Sequence, residues 1–238
     1  MPSPKVLIIL TSQAEIPANR AETGWYLPEL AHPYQILKPK VDISIASPQG
    51  GEAPLDPHSV KAFENDEVSM SFMQNEKAVW ANTYKIAEVI PMAGEFDALF
   101  YVGGHGPMFD LPSDPRSLAL IQSFAAARKP IAAVCHGPAA LLNATTPSGL
   151  PLLSGATVTG FSNGEEDQVG MSAFMPFLLE TELNRISGGM YVKEHPYKEK
   201  VVVSKTAGME GPLITGQNPR SAARVANEIL KALGLDRQ

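Results

Sequence analysis

Short apolar runs recur along the chain, and each is followed by a polar or glycine-rich turn. Val6 to Leu10 has a charge before it and Thr-Ser after it. It predicts a strand buried on both faces of a parallel sheet. Val41 to Ala46 alternates and predicts a second strand. Ala98 to Val102 predicts a third, running into Gly103-Gly104-His105-Gly106. Ile131 to Val134 predicts a fourth, entering Cys135-His136-Gly137-Pro138. Shorter strands are predicted at Thr157–Thr159, Tyr191–Lys193, Val201–Ser204 and Leu213–Thr215.

Helical patterns fall between these runs. A stretch from Glu22 to Leu37 is interrupted by Pro28 and Pro33, and weak helices are predicted at Ser59–Phe63 and Asn82–Val89. Asp114-Pro115 combines a capping side chain with a proline at the first helical position, and predicts a helix to Arg128. Ala139–Asn143 reads as helical. Val169, Ala173, Phe174, Phe177 and Leu178 recur at helical spacing and predict a helix over Glu165–Leu183. Asn218-Pro219 opens a last helix to Leu233, closed by Gly234. Buried strands alternating with helices imply an α/β fold: a doubly wound, flavodoxin-like, mostly parallel sheet flanked by helices. No repeat or linker divides residues 1–238, so one domain is expected. Residues 47–95 and 165–183 are too long for bare crossovers and are expected to cap the carboxyl edge of the strands.

Composition narrows the class. A chain of 238 residues, 44% of them hydrophobic, can bury a core without staples. Its single cysteine excludes an internal disulfide and any zinc site needing two thiolates. A net charge of −6 argues against nucleic acid as the main partner. No apolar run approaches the ~20 residues of a membrane span, and the first residues lack the apolar core of a secretory signal. A cytoplasmic protein is expected, with the nucleus as a second compartment.

Ligands of doubly wound sheets bind at the carboxyl ends of the strands. Three polar clusters fall there: Gly103 to Gly106, Cys135 to Gly137, and Ser162 to Glu166. Strand, Cys135-His136-Gly137-Pro138, helix is the pattern of a nucleophile elbow. A sulfur at a helix N-terminus is expected to have a lowered pKa. The N–H of His136 and the Gly103-Gly104 turn are candidate oxyanion donors. His136 is the candidate base, and His105 a candidate substrate-binding residue. Glu29, in an aromatic and apolar stretch, is expected to hold its proton nearer neutrality, as a proton shuttle requires. No Cys pair, His-Glu-x-x-His or His-x-His spacing occurs, so neither metal nor other cofactor is expected.

These motifs resemble the ThiJ/PfpI superfamily, relatives of the class I glutamine amidotransferases. The similarity is nearer to its heat-shock chaperone branch, which contains the glutathione-independent glyoxalases. It is carried by Thr23-Gly24 with Glu29 and His32-Pro33, and by Gly103-Gly104-His105-Gly106 with Asp110. Ala132 to Pro138, Thr159 to Asn163 with Glu165-Glu166, and Leu213 to Pro219 complete it. The resemblance implies Cys135 as nucleophile, His136 as its partner, Glu166 (with Glu165 as the alternative) as third triad member, and Glu29 beside the sulfur. It implies a cofactor-free lyase of the glyoxalase III type, acting on a small 2-oxoaldehyde such as methylglyoxal in stress detoxification, and a homodimer. The alternatives are a holdase chaperone or redox-sensing stress protein, and a cysteine peptidase or amidase. Met171 to Phe177 is the one stretch that suggests an apolar docking surface, with a core-facing helix as its ordinary reading.

Overall fold

In the computed structural model, which describes residues 3–206 and 209–236, seven strands form one sheet. They are β1 (Lys5–Ile9), β2 (Asp42–Ser47), β3 (Tyr84–Lys85), β4 (Ala98–Tyr101), β5 (Ile131–Val134), β6 (Val201–Thr206) and β7 (Met209–Gly216). Their order is β3-β2-β1-β4-β5-β7-β6, and every pairing is parallel except β6 with β7. The expected doubly wound α/β sheet is therefore present. β4 and β5 are buried at every residue, as continuous apolar runs covered on both faces must be.

The helix Leu27–Leu37 packs against the last helix, Ala222–Ala232, which in turn packs on β5 and β7. The helix Pro115–Ala126 covers β4, β5 and β7 together with the turn Ile90–Glu95. Asp114 caps it as expected, accepting the N–H groups of Arg116 and Ser117. The segment 47–95 forms the helices Pro57–Ala62, Glu67–Asn75, Lys77–Ala81 and Ile86–Val89. An aromatic cluster ties it down: Trp25 meets Phe72 and Trp80 edge-on, with centroids 6.4 and 5.6 Å apart.

Several sequence expectations are corrected. The first helix starts at Leu27 rather than Glu22, and it runs through Pro33 unbroken. Burial of Leu27, Leu30, Ala31 and Leu37 outweighs the one hydrogen bond that Pro33 cannot donate. The helix expected at Asn82–Val89 is only Ile86–Val89, because Tyr84-Lys85 pairs with β2. The helix Glu67–Asn75 has no counterpart among the predicted elements. Of the helix expected over Ala139–Asn143, only Ala139–Leu141 is helical, as the end of a 3₁₀ turn, Gly137–Leu141. The long helix expected over Glu165–Leu183 is two helices, Asn163–Gln168 and Leu179–Ser187. Ser162 and Glu165 form a capping box that starts the first, and Gly170 at φ +71° lies just past its end. Between them Met171, Phe174 and Phe177 pack against the core from a loop, not from a helix. Thr157–Thr159 and Tyr191–Lys193 contribute one isolated bridge, Val158 to Tyr191, rather than sheet strands. Among the described residues no helix is long and apolar enough to cross a membrane.

Candidate active site

Backbone bonds tie other segments to the carboxyl ends of β4, β5 and β7. Cys135 N–H donates to the Gly216 carbonyl at 2.9 Å, and Phe161 N–H to the Cys135 carbonyl at 2.9 Å. Tyr26 N–H donates to the Gly103 carbonyl at 3.1 Å. The chain turns at Cys135 with φ +58°, a left-handed conformation that costs a non-glycine residue roughly 1–2 kcal/mol. That turn lifts the sulfur off the end of β5. Gly137 is required beside it, since a Cβ there would lie 2.5 Å from the Tyr101 carbonyl oxygen.

His136 lies against the sulfur, with Glu166 behind it. Cys135 Sγ lies 3.3 Å from His136 Nδ1, and His136 Nε2 lies 2.6 Å from Glu166 Oε2. The imidazole is thus held between thiol and carboxylate, in the arrangement of a nucleophile, its base and an orienting acid. Of the adjacent pair, Glu166 is the one that meets His136. Glu165 points elsewhere: its two oxygens accept five hydrogen bonds, from Ser162 N–H and Oγ–H, Tyr197 N–H, Gln217 and Asn218.

His105, expected to bind substrate, bonds Glu166 Oε1 through Nε2 at 2.7 Å. One carboxylate therefore bridges two imidazoles, whose rings lie 4.5 Å apart. These three residues place metal-ligand atoms within 4.8 Å of one another. The hydrogen bonds to Glu166 account for that grouping.

Glu29 sits in the first turn of its helix, completely buried. Its Oε2 accepts the Gly103 N–H at 2.9 Å, and its Oε1 has no hydrogen-bond partner among the described residues. Burial pushes its pKa up to about 8, although Cys135 and the Gly103 N–H both favour the anion. A pKa in that range keeps the carboxyl largely protonated at neutral pH. Gly103 thus spends its N–H on Glu29 rather than on a reacting oxygen. A side chain there is excluded, since a Cβ would lie 2.4 Å from Glu29 Oε2 and 2.8 Å from Cys135 Cβ.

The expected lowering of the thiol pKa is reversed. Burial and the neighbouring Glu29 push the Cys135 thiol well above its ordinary value, against the Gly104 N–H, which lowers it. The following helical turn is too short to offset this. Burial also lowers the pKa of His136, against the charge of Glu166. For Glu166 itself burial acts upward, but the two histidines outweigh it and hold its pKa far below the usual range. The resting site therefore holds a neutral thiol, a neutral imidazole, a carboxylate and a carboxylic acid.

Glu29 provides a direct test of these surroundings. A carboxyl whose folded pKa is raised contributes stability that is complete below the unfolded value of ~4.3 and gone above the folded one. Stability of the wild type is expected to fall by on the order of 3 kcal/mol, relative to Glu29→Gln, as pH rises from 5 to 8.5. Urea unfolding of both proteins across that range reads the difference. Parallel curves would mean that Glu29 is ionised in the folded protein.

Gln217, Asn218, Tyr26 and Tyr197 also belong to the site, although no sequence motif assigns them a role. The first two follow β7 directly, so the carboxyl-edge rule that singles out the other clusters also points here. The two tyrosines arrive through loops with no local signal. They line a cavity of about 560 Å³, and Tyr26 also lines a neighbouring one of about 540 Å³ that reaches His105.

Proteins of known description are similar to this chain over most of its length. Glyoxalase 3 of Candida albicans is 29% identical over 239 residues, covering 96% of this chain and 98% of its own. The glutathione-independent glyoxalase hsp3101 of Schizosaccharomyces pombe is 29% identical over 240 residues, covering 95% of each. The X-ray structure of the Francisella tularensis Rapid Encystment Protein superposes with a TM-score of 0.87 at 33% identity, over 97% of this chain and 99% of that one. The family model described as DJ-1/PfpI matches residues 28–232, from the helix that carries Glu29 through the elbow to the last helix. With Glu29, the cysteine elbow and Glu166 all inside that span, the chain belongs to the DJ-1/PfpI family.

Proposed function

We propose that this protein is a glutathione-independent glyoxalase, a lyase of the glyoxalase III type that converts methylglyoxal and water to lactate. The observation that carries the reading is the buried Glu29 carboxyl, its pKa raised by that burial, beside a thiol that also has its own base, His136. Acid, base and nucleophile are then all supplied by side chains, and the glyoxalase relatives covering nearly the whole chain support the substrate.

The sulfur attacks the aldehyde carbon while His136 Nδ1 takes the thiol proton and passes it to the aldehyde oxygen, leaving a hemithioacetal. The charge that His136 carries in transit is balanced by Glu166. Neutral His136 then removes the C1 proton as Glu29 protonates the ketone oxygen, giving an enediol. Return of the proton from His136 to C2, and of the C1 hydroxyl proton to Glu29, yields a lactoyl thioester. Water, activated by His136, hydrolyses it and restores the thiol. The aldehyde carbon is oxidised and the ketone carbon reduced, so no external electron carrier is needed. The Gly104 N–H, beside the sulfur, and the His136 N–H are the candidate donors to the C1 oxyanion.

Incubation with methylglyoxal in the absence of glutathione is expected to form one lactate per methylglyoxal consumed. Lack of lactate, with cysteine-dependent hydrolysis of a peptide or amide panel, would assign the site to the hydrolase class instead.

A further inference from the structure

Methylglyoxal carries only a methyl group beyond its two carbonyls, yet a cavity of about 560 Å³ adjoins the site. That volume lies in the range of pockets that enclose considerably larger ligands. Tyr26 forms part of its wall and is one backbone hydrogen bond from Gly103, the residue packed directly against Cys135 and Glu29. Tyr197, also in the wall, is held by its N–H to Glu165, next in sequence to the acid of the His136 pair. Both tyrosines are near enough to Cys135 to feel its charge, so the cavity lies beside the site, with no reacting side chain in its own wall. Phe63 and Pro219 make part of its wall apolar, and the exposed Arg220 also lines it.

The acid and the base on its wall, Asp66 and Arg220, differ in their partners. Asp66 is occupied, accepting the Ser69 N–H at 2.9 Å and facing His32 Nε2 at 2.9 Å. Arg220 has no carboxylate partner among the described residues, whereas Arg224, one turn on, pairs with Glu199 and Glu228. In the neighbouring cavity Lys61 shares the wall with two acids, Glu22 and Asp56, against the single acid Asp66 beside Arg220.

We propose that the preferred substrates are 2-oxoaldehydes whose ketone carbon bears a short apolar spacer ending in a carboxylate, with Arg220 binding that carboxylate. The inference rests on the glyoxalase reading above and specifies its substrate class. For the probe 4,5-dioxopentanoate, addition of water and the same internal transfer of hydrogen from C5 to C4 give 2-hydroxyglutarate. As before, the aldehyde carbon is oxidised, the ketone carbon reduced and one proton released.

The test compares kcat/KM for 4,5-dioxopentanoate, for the uncharged 2-oxopentanal of equal length and for methylglyoxal. In the wild type the charged probe is expected to exceed its uncharged match by about fivefold, the size of one partly solvated ion pair. The advantage should shrink with added salt, disappear in Arg220→Gln and return in part in Arg220→Lys. A wild-type ratio near one, or a ratio that Arg220→Gln leaves unchanged, overturns the proposal while the glyoxalase reading stands. Should none of the three aldehydes be consumed, the glyoxalase reading fails. Calorimetric binding of 2-hydroxyglutarate against lactate, in wild type and Arg220→Gln, then decides the subsite by itself: equal weak binding of both anions overturns it.

Discussion

Replacing Cys135 by alanine is expected to reduce lactate formation from methylglyoxal by about 10⁴-fold or more, to the level of the remaining acid, base and binding groups. The substitution is cleaner than most removals of a nucleophile. The strained φ of +58° is equally unfavourable for alanine, so the backbone penalty is unchanged. The carbonyl and N–H of residue 135 go on bonding Phe161 and Gly216. The loss in packing is one buried sulfur, about 1 kcal/mol. Removing the thiol also relieves one of the interactions that set the Glu29 pKa, so the pH dependence of stability should shift while the fold persists. Steady-state lactate assays together with a urea midpoint separate the two effects. Full activity in the alanine variant would remove the covalent mechanism. Aggregation suppression that survived in an inactive variant would instead locate any chaperone action outside this site.

Sequence is informative where the physics is local. Strands such as Ile131–Val134 are buried on both faces, so their apolar runs are unbroken and their ends are visible. The elbow at Cys135 is equally legible. A polar Cys-His pair set directly between a buried apolar strand and Gly137-Pro138 marks a sharp turn at the carboxyl edge, where ligands bind. Legibility fails where distant residues decide. The spacing of Val169, Phe174 and Phe177 matches a helix, yet Gly170 and Pro176 let the chain pack Phe174 and Phe177 from a loop. Pro33 reads as a break, but tertiary burial carries the helix through it. The lowered pKa expected for Cys135 follows from a helix N-terminus alone. Burial beside Glu29, a residue more than a hundred positions away, reverses its direction. The bond from His105 to Glu166 likewise joins segments that no sequence spacing connects.

Two adjacent glutamates, each buried, are expected to fail in opposite ways when changed to glutamine. Glu165 joins three segments: the Ser162 turn, the loop at Tyr197, and Gln217-Asn218 after β7. Every contact is a donor aimed at a carboxylate oxygen, at 2.7 to 3.0 Å. An amide in its place would turn an NH₂ toward at least two of those donors. The conflict leaves buried groups unpaired, at ~1–3 kcal/mol for each. Glu165→Gln is therefore expected to lose about 4 kcal/mol of stability. Well below its melting temperature, the protein that remains folded should keep kcat within about tenfold, since the triad does not pass through this residue. Glu166→Gln has the reverse signature. Its partners are imidazoles, which can exchange tautomers to suit an amide, and His105 is partly open to solvent. Stability should change by no more than about 1–2 kcal/mol, while kcat falls by about 10²- to 10⁴-fold. The cause is the loss of the negative charge that balances His136 while it carries a proton. Urea midpoints and kcat measured on the same preparations give both axes. A stable, inactive Glu165→Gln beside an unstable, active Glu166→Gln would exchange the two roles. Retention of kcat by both variants would show that His136 acts without an acid behind it.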